Sequence, residues 1–274
     1  MRYLTLFVFS VSLLANYEPS RSEVASAANL ASAVYQESPK AHLPVIQMHE
    51  NPDFANRLVA YLDKQHKTLY IVVRGTTELR NWIANLSIGY NDPVIGSIAD
   101  MGAHMAIDMT VNALIPTNYQ QDISKNLKST YKGLKSAHDN FFIDAFQDLR
   151  KASEAIILQY PTHKVVFVGH SYGGIMGNLL AQQTIYNNPE LNVLCHTFNA
   201  PGAREIRSKI LRLPTLNESF LNQHFFNHFR WSDPVSKISP QEGRIYVYQA
   251  GDNLLDPIGQ HEIGSFADEL IGQV

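Results

Sequence analysis

Residues 165–174 read Val-Val-Phe-Val-Gly-His-Ser-Tyr-Gly-Gly, an apolar run that ends in Gly-x-Ser-x-Gly. Residues 175–186 then carry apolar side chains at helical spacing. A serine on a sharp turn between a strand and a helix is a nucleophile elbow, and the flanking Gly169 and Gly173 leave room for the tight backbone. The pattern predicts that Ser171 is a catalytic nucleophile, and an ordinary turn between strand and helix is the alternative.

Strand-like and helix-like segments alternate along the rest of the chain. Strand candidates are residues 57–63, 68–74, 192–198, 225–230 and 244–249, and helix candidates are residues 22–36 and 141–160. Four polar residues separate the first two strand candidates, and this short connection predicts a hairpin. The alternation predicts an α/β fold with a central, mainly parallel sheet flanked by helices. Residues 91–135 follow neither pattern.

Bulk composition limits the possible partners. The chain has 274 residues, a formal net charge of −3 and no composition break, so we expect one domain and no nucleic-acid partner. The only cysteine, Cys195, lies in an apolar run and is interpreted as a core residue. No zinc motif is present, and no metal or cofactor is expected.

The first residues resemble a secretory signal. Arg2 precedes an apolar run from Leu4 to Ala15, which is too short to span a bilayer as a helix. We therefore expect a signal peptide over residues 1–19, a single domain over residues 20–274, and a secreted or periplasmic protein. The alternative is a segment that packs on the domain of a cytoplasmic protein.

The other catalytic residues follow by elimination. In α/β-hydrolases the order along the chain is serine, acid, histidine. Asp233 follows the strand candidate 225–230 and precedes a proline, so its carboxylate is expected at the carboxyl end of a strand, where open α/β sheets build their sites. His261 is the only histidine after Asp233. The predicted triad is Ser171, Asp233 and His261, with Asp256 as the reserve acid.

Three other histidines invite functional interpretations. His170 lies inside the elbow, but it points away from Ser171 on an extended turn, so a packing or hydrogen-bonding role is expected. His224 and His228 have the spacing of two ligands on a helix. Their aromatic surroundings favour a strand instead, on which side chains four residues apart lie about 13 Å apart and cannot share a metal ion.

Motifs outside the elbow resemble the class 3 lipases, the fungal-type triacylglycerol lipase family of α/β-hydrolases. They are Val72-Val73-Arg74-Gly75-Thr76-Thr77, Thr197-Phe198-Asn199-Ala200-Pro201-Gly202 and Ser232-Asp233-Pro234-Val235. The resemblance implies that the backbone N–H groups of Thr76 and Tyr172 form an oxyanion hole. Asn199 is a departure, since the family usually has glycine there.

The segment after Thr77 resembles the short lid of that family. Leu79, Trp82, Ile83 and Leu86 fall on one apolar stripe of a helix. On a closed lid the stripe would cover the site, and on an oily interface it would face lipid. A fixed surface helix is the alternative.

These features predict a serine carboxylester hydrolase, and specifically a lipase that acts on acylglycerols at an oil–water or membrane interface without a cofactor. A phospholipase A1 and a short-chain esterase would use the same triad. A non-catalytic lipid- or partner-binding protein is the alternative from another class. Nothing in the sequence indicates the oligomeric state.

Overall fold

The structure is a computed structural model that describes residues 17–54, 56–75, 125, 140–233, 235–237, 239–249 and 261–272. Its strands are β1 (Val45–Asn51), β2 (Asn56–Asp63), β3 (Thr68–Val73), β4 (Lys164–His170), β5 (Val193–Phe198), β6 (Phe225–Arg230) and β7 (Arg244–Tyr248). The α-helices are α1 (Arg21–Ala33), α2 (140–157), α3 (Tyr172–Asn187), α4 (Glu218–His224) and α5 (Ile263–Gly272). One π-helical segment, Ile206–Leu211, lies between β5 and α4.

The seven strands form one sheet in chain order. β1, β2 and β3 pair antiparallel, and β3 to β7 pair parallel. The predicted hairpin is confirmed, with Asp63 opposite Thr68 at its turn. The predicted α/β fold with a mainly parallel sheet is confirmed as well.

The central strands are apolar because both of their faces are covered. Every residue of β3 and β5 is buried, as expected for parallel strands between two layers of helices. Val166 and Val168 of β4 pack on the side of α1 and α5. Val165 and Phe167 pack on the side of α2 and α3. The sheet therefore separates two hydrophobic cores.

Polar side chains cap the N-termini of two helices. The side chain of Ser20 accepts a hydrogen bond from the backbone N–H of Glu23 at the start of α1. Asn217 caps α4 in the same way. The strand candidate 225–230 is confirmed as β6, but the interpretation that places His224 on a strand with His228 is wrong, because His224 ends α4.

Among the residues that the structure describes, no helix is long and apolar enough to cross a membrane. The predicted lid stripe, the irregular segment 91–135 apart from residue 125, and residues 1–16 lie outside the described part of the chain.

Candidate active site

The predicted elbow joins β4 to α3 at Ser171. Its backbone has φ 58° and ψ −129°, a conformation that residues with a side chain rarely adopt. The Ser171 N–H donates to the carbonyl of Phe198 at 3.0 Å, which ties the elbow to β5. The Ser171 carbonyl accepts the N–H of Gly174 at 2.9 Å as the first turn of α3 closes.

Close backbone contacts require the two flanking glycines. A Cβ on Gly169 would lie 2.1 Å from the carbonyl oxygen of Gly173, and a Cβ on Gly173 would lie 2.2 Å from that of Val73. These neighbours are backbone atoms and have no rotamer through which to move away. The Gly-x-Ser-x-Gly pattern therefore reflects close approach of β3, β4 and α3.

Asp233 and His261 meet beside the carboxyl ends of the strands. His261 Nδ1 lies 2.9 Å from Asp233 Oδ1, and both side chains are buried. The Asp233 carboxylate also accepts the backbone N–H groups of Val235 at 3.2 Å and Ser236 at 2.9 Å. Because an ionised carboxylate only accepts hydrogen bonds, His261 donates Nδ1–H and leaves Nε2 as its basic nitrogen.

Two buried polar atoms of Ser171 and His261 call for an explanation. In the described part of the chain, neither Ser171 Oγ nor His261 Nε2 has a hydrogen-bond partner. A buried polar atom without a partner is costly, and such atoms in a native fold call for an explanation. A nucleophile and a base that bind substrate would account for both.

His170 connects the elbow to other parts of the site. Its Nε2 lies 2.7 Å from the backbone carbonyl oxygen of His261, and its Nδ1 lies 2.8 Å from Tyr35 Oη. Burial lowers the pKa of His170 well below its usual value, and the nearby His261 adds to this. A neutral His170 that donates from Nε2 must accept at Nδ1, so Tyr35 donates its hydroxyl proton. The expected hydrogen-bonding role of His170 is confirmed.

Tyr35 extends this chain of hydrogen bonds to the turn after β3. Its oxygen accepts the Gly75 N–H at 3.0 Å. A Cβ on Gly75 would lie 3.3 Å from Ser171 Cβ, so the Arg74-Gly75 turn lies directly against Ser171. Sequence reasoning missed Tyr35, which is 135 residues from His170 along the chain.

The remaining histidine and cysteine candidates are held in the fold by hydrogen bonds or by burial. His224 Nδ1 lies 2.8 Å from the carbonyl oxygen of Val193. His228 Nε2 lies 3.1 Å from His196 Nδ1 in the core beside α5. Cys195 is buried, and burial raises the pKa of its thiol. Within the described ranges, no group of three or more His, Cys, Asp or Glu side chains is arranged to hold a metal ion.

The predicted oxyanion-hole and lid residues are only partly described. Tyr172 begins α3 directly after Ser171, and its ring packs edge-on against Phe142 with the ring centres 5.8 Å apart. The remaining predicted site residues, Thr76, Leu79, Trp82, Ile83, Leu86 and the reserve acid Asp256, lie outside the described residues.

Comparisons with solved structures agree with this fold. A triacylglyceride lipase from Rhizomucor miehei superimposes with a TM-score of 0.51 at 16% identity, over 82% of this chain and 79% of that protein. A triacylglycerol lipase from Penicillium expansum has a TM-score of 0.51 at 14% identity, over 90% of this chain and 91% of that one. At such low identity these likenesses support the fold alone.

Sequence comparison adds a relative and a family. A lipase from Rhizomucor miehei is 28% identical over 139 residues, which cover 49% of this chain and only 28% of that relative's length. The model of the family described as lipase (class 3) matches residues 70–242. Since this match spans more than half of the chain and includes Ser171 and Asp233, the chain belongs to the class 3 lipase family.

Proposed function

We propose that this chain is a serine carboxylester hydrolase, a lipase that cleaves acylglycerol ester bonds. The observation that carries the proposal is the buried His261–Asp233 hydrogen bond of 2.9 Å, with the His261 ring centre 4.7 Å from that of His170, the residue before the strained Ser171. Membership of the lipase family supports it. A solved triacylglycerol lipase described as having a serine-protease triad at its catalytic centre has a similar fold, with a TM-score of 0.50 at 17% identity over 82% of this chain and 79% of that one.

In the proposed reaction, Ser171 Oγ attacks the ester carbonyl carbon while its proton passes to His261 Nε2. The carbonyl electron pair moves onto the oxygen and forms a tetrahedral intermediate. When the intermediate collapses, the alcohol leaves with the proton from His261 and the acyl group stays on Ser171. Water then attacks the acyl carbon and gives a proton to His261, which returns it to Ser171 Oγ as the fatty acid leaves.

Asp233 has two functions in this scheme. It keeps His261 in the tautomer that carries its proton on Nδ1, and its charge stabilises the imidazolium that forms when Nε2 takes the serine proton. The two backbone N–H groups that Asp233 accepts hold the carboxylate in place. Both functions depend on a charged Asp233.

We propose the backbone N–H groups of Tyr172 and Thr76 as the oxyanion hole. Tyr172 is the residue directly after the nucleophile, and Gly75, the residue before Thr76, lies against Ser171. Donors at these positions would act on the oxygen that becomes negative in the transition state, where one donor contributes about 3 to 4 kcal/mol.

The first test is hydrolysis of a series of esters from acetate to oleate, soluble and emulsified. Ser171→Ala should reduce kcat by about 10⁶-fold without unfolding the protein. Ser153→Ala is the matched control, because Ser153 is also buried but its hydroxyl donates to Arg150 O in α2. Wild-type activity in Ser171→Ala would refute the proposal.

The same series identifies the substrate class. A lipase with a lid over residues 79–86 should prefer long acyl chains and gain activity when the substrate forms an emulsion. Activity confined to short soluble esters would indicate an esterase. Activity that is absent from the series but present on added phospholipid vesicles would indicate a phospholipase A1. A folded wild type that is inactive on every ester would favour a binding protein.

We further propose that the protein is exported and that processing occurs before Tyr17 rather than at residue 19. The ring centres of Tyr17 and Phe226 are 5.7 Å apart, and Glu18 accepts a hydrogen bond from Tyr246 Oη at 2.6 Å and pairs with Arg244. Cleavage after residue 19 would remove these contacts. The mass of the mature chain from culture medium would locate the cleavage site, and a full-length intracellular chain would exclude export.

A further inference from the structure

Two side chains donate to the backbone carbonyl of His261. His170 Nε2 lies 2.7 Å from this oxygen and Asn199 Nδ2 lies 3.1 Å from it. All three residues are buried. A carbonyl oxygen has two lone pairs, so the two donors use its full capacity. They come from the ends of β4 and β5 and hold the backbone of His261 from separate elements.

Asn199 is itself fixed by hydrogen bonds to three described residues. Its backbone N–H donates to His228 O at 2.8 Å, and its Oδ1 accepts the Arg230 N–H at 3.0 Å. Its third bond is the one to His261. Its φ of 44° lies in the left-handed region, which asparagine tolerates better than most residues. The amide therefore spans from the end of β6 to the backbone of the base.

The Asn199 side chain contacts the chain segments of both the proposed acid and the proposed base. Arg230 ends β6, and the Asp233 N–H donates to Arg230 O at 3.0 Å in the turn that follows. Asn199 thus contacts the strand end that carries the acid as well as the residue that supplies the base. A glycine here would allow the same backbone conformation but could make neither side-chain bond.

We propose that Asn199 is a positioning residue for His261, acting with His170 as a two-donor clamp on the His261 backbone carbonyl. The proposal rests on the proposed function of His261 as the base. The clamp holds the backbone of the base while Asp233 holds its ring. A displacement of about 1 Å at a catalytic group can cost about 100-fold in rate, so loss of one donor should affect turnover.

The test is Asn199→Gly in the full chain, with Lys67→Gly as the matched control. Both residues have positive φ, 44° and 48°, so glycine fits each backbone, but Lys67 lies in the hairpin turn between β2 and β3. On a soluble ester, Asn199→Gly should lower kcat about 10- to 100-fold with KM nearly unchanged. Lys67→Gly should change neither.

A second measurement does not need a substrate. The His261 Nδ1–H, hydrogen-bonded to a buried carboxylate, should give a low-field proton NMR resonance that is absent from His261→Ala. Asn199→Gly should broaden or remove it, and Lys67→Gly should retain it. A resonance as sharp as that of wild type in Asn199→Gly would overturn the clamp, whatever the kinetics.

The two proposals fail in different ways. A folded wild type that shows the resonance but hydrolyses no ester refutes the lipase proposal, while the clamp is still decided by the resonance of Asn199→Gly. If Asn199→Gly does not fold, Asn199→Asp takes its place at pH 8. Aspartate keeps the shape and the acceptor for the Arg230 N–H, but its carboxylate cannot donate to His261 O. The same resonance test then applies.

Discussion

At the scale of single residues, the site depends on polar groups that share hydrogen bonds across long distances in the chain. The hydroxyl of Tyr35 accepts the Gly75 N–H and donates to His170 Nδ1. Its burial raises the pKa of the phenol, which keeps the hydroxyl protonated and able to donate. The turn next to Ser171 and the histidine beside His261 therefore meet at one oxygen atom.

Tyr35→Phe should destabilise the protein by about 1 to 3 kcal/mol, because it leaves a buried N–H and a buried ring nitrogen without their partner. Tyr61→Phe is the control, since Tyr61 Oη is buried with no hydrogen-bond partner in the described part of the chain. Losing that hydroxyl should leave stability unchanged or raise it. Urea denaturation of both variants measures the difference, and equal losses would contradict the role given to Tyr35.

At the scale of elements, a buried ion pair connects the π-helical segment to the chain before β7. Arg207 Nη2 lies 3.0 Å from Glu242 Oε1, and both side chains are almost fully buried. Gln182 of α3 donates to Glu242 Oε2 at 3.2 Å, and the Glu242 backbone carbonyl accepts from Asn227 of β6 at 2.8 Å. Four segments of the chain thus meet at Glu242, three of them through its carboxylate and β6 through its backbone carbonyl.

Removing one partner should cost more than removing both. Arg207→Met leaves a buried carboxylate without its main cation and should lower the free energy of unfolding by about 3 to 5 kcal/mol. Glu242→Met should do the same to the guanidinium. The double variant should lose clearly less than the sum of the single losses. Additive losses in a double-mutant cycle measured by urea denaturation would show that the two charges are not coupled.

The elements also show what the sequence could predict. The buried strands β3, β4 and β5 are continuous apolar runs, so they were predicted. β1 was not, because it is a half-exposed edge strand and a register shift between Val45 and Gln47 breaks its alternation. His224 was assigned to a strand because aromatic residues surround it, although Asn217 caps a short helix that ends there.

The candidate site also contains some residues that the sequence predicts and others that it does not. Chain order and turn chemistry were enough to name Ser171, Asp233 and His261. Tyr35 and Asn199 carried no such signal, because a hydrogen bond between residues far apart in the chain leaves no local pattern. Asn199 was noted only as a departure from glycine, and its positive φ and two side-chain bonds give that departure a physical reason.

At the scale of the whole molecule, burial lowers the pKa of four described histidines, which are His224 and three that lie deeper in the fold. Burial lowers the pKa of His170, His196 and His228, to about 3 for His196. Neighbouring titratable groups act in the same direction, namely His261 on His170, Lys164 on His196, and His196 on His228. His228 also stacks on Phe198 and Tyr246.

This burial makes the fold sensitive to mild acid. In the unfolded chain each histidine takes up a proton below about pH 6.5, whereas in the folded chain it stays neutral, so the unfolded state binds more protons and stability falls as pH falls. Between pH 7.5 and 5.5 the loss is about 1.4 kcal/mol for each histidine and about 4 kcal/mol for the three. Urea denaturation at the two pH values measures it.

The window from pH 7.5 to 5.5 separates this effect from that of the carboxylates, which in unfolded chains take up protons mainly below about pH 4.5. His228→Phe keeps an aromatic ring in the stack but removes one titrating group. Whatever its absolute stability, its loss between the two pH values should be about 1.4 kcal/mol smaller than that of the wild type. Equal stability of the wild type at both pH values would mean that the buried histidines are protonated in the folded state, and that the depressed pKa values are wrong.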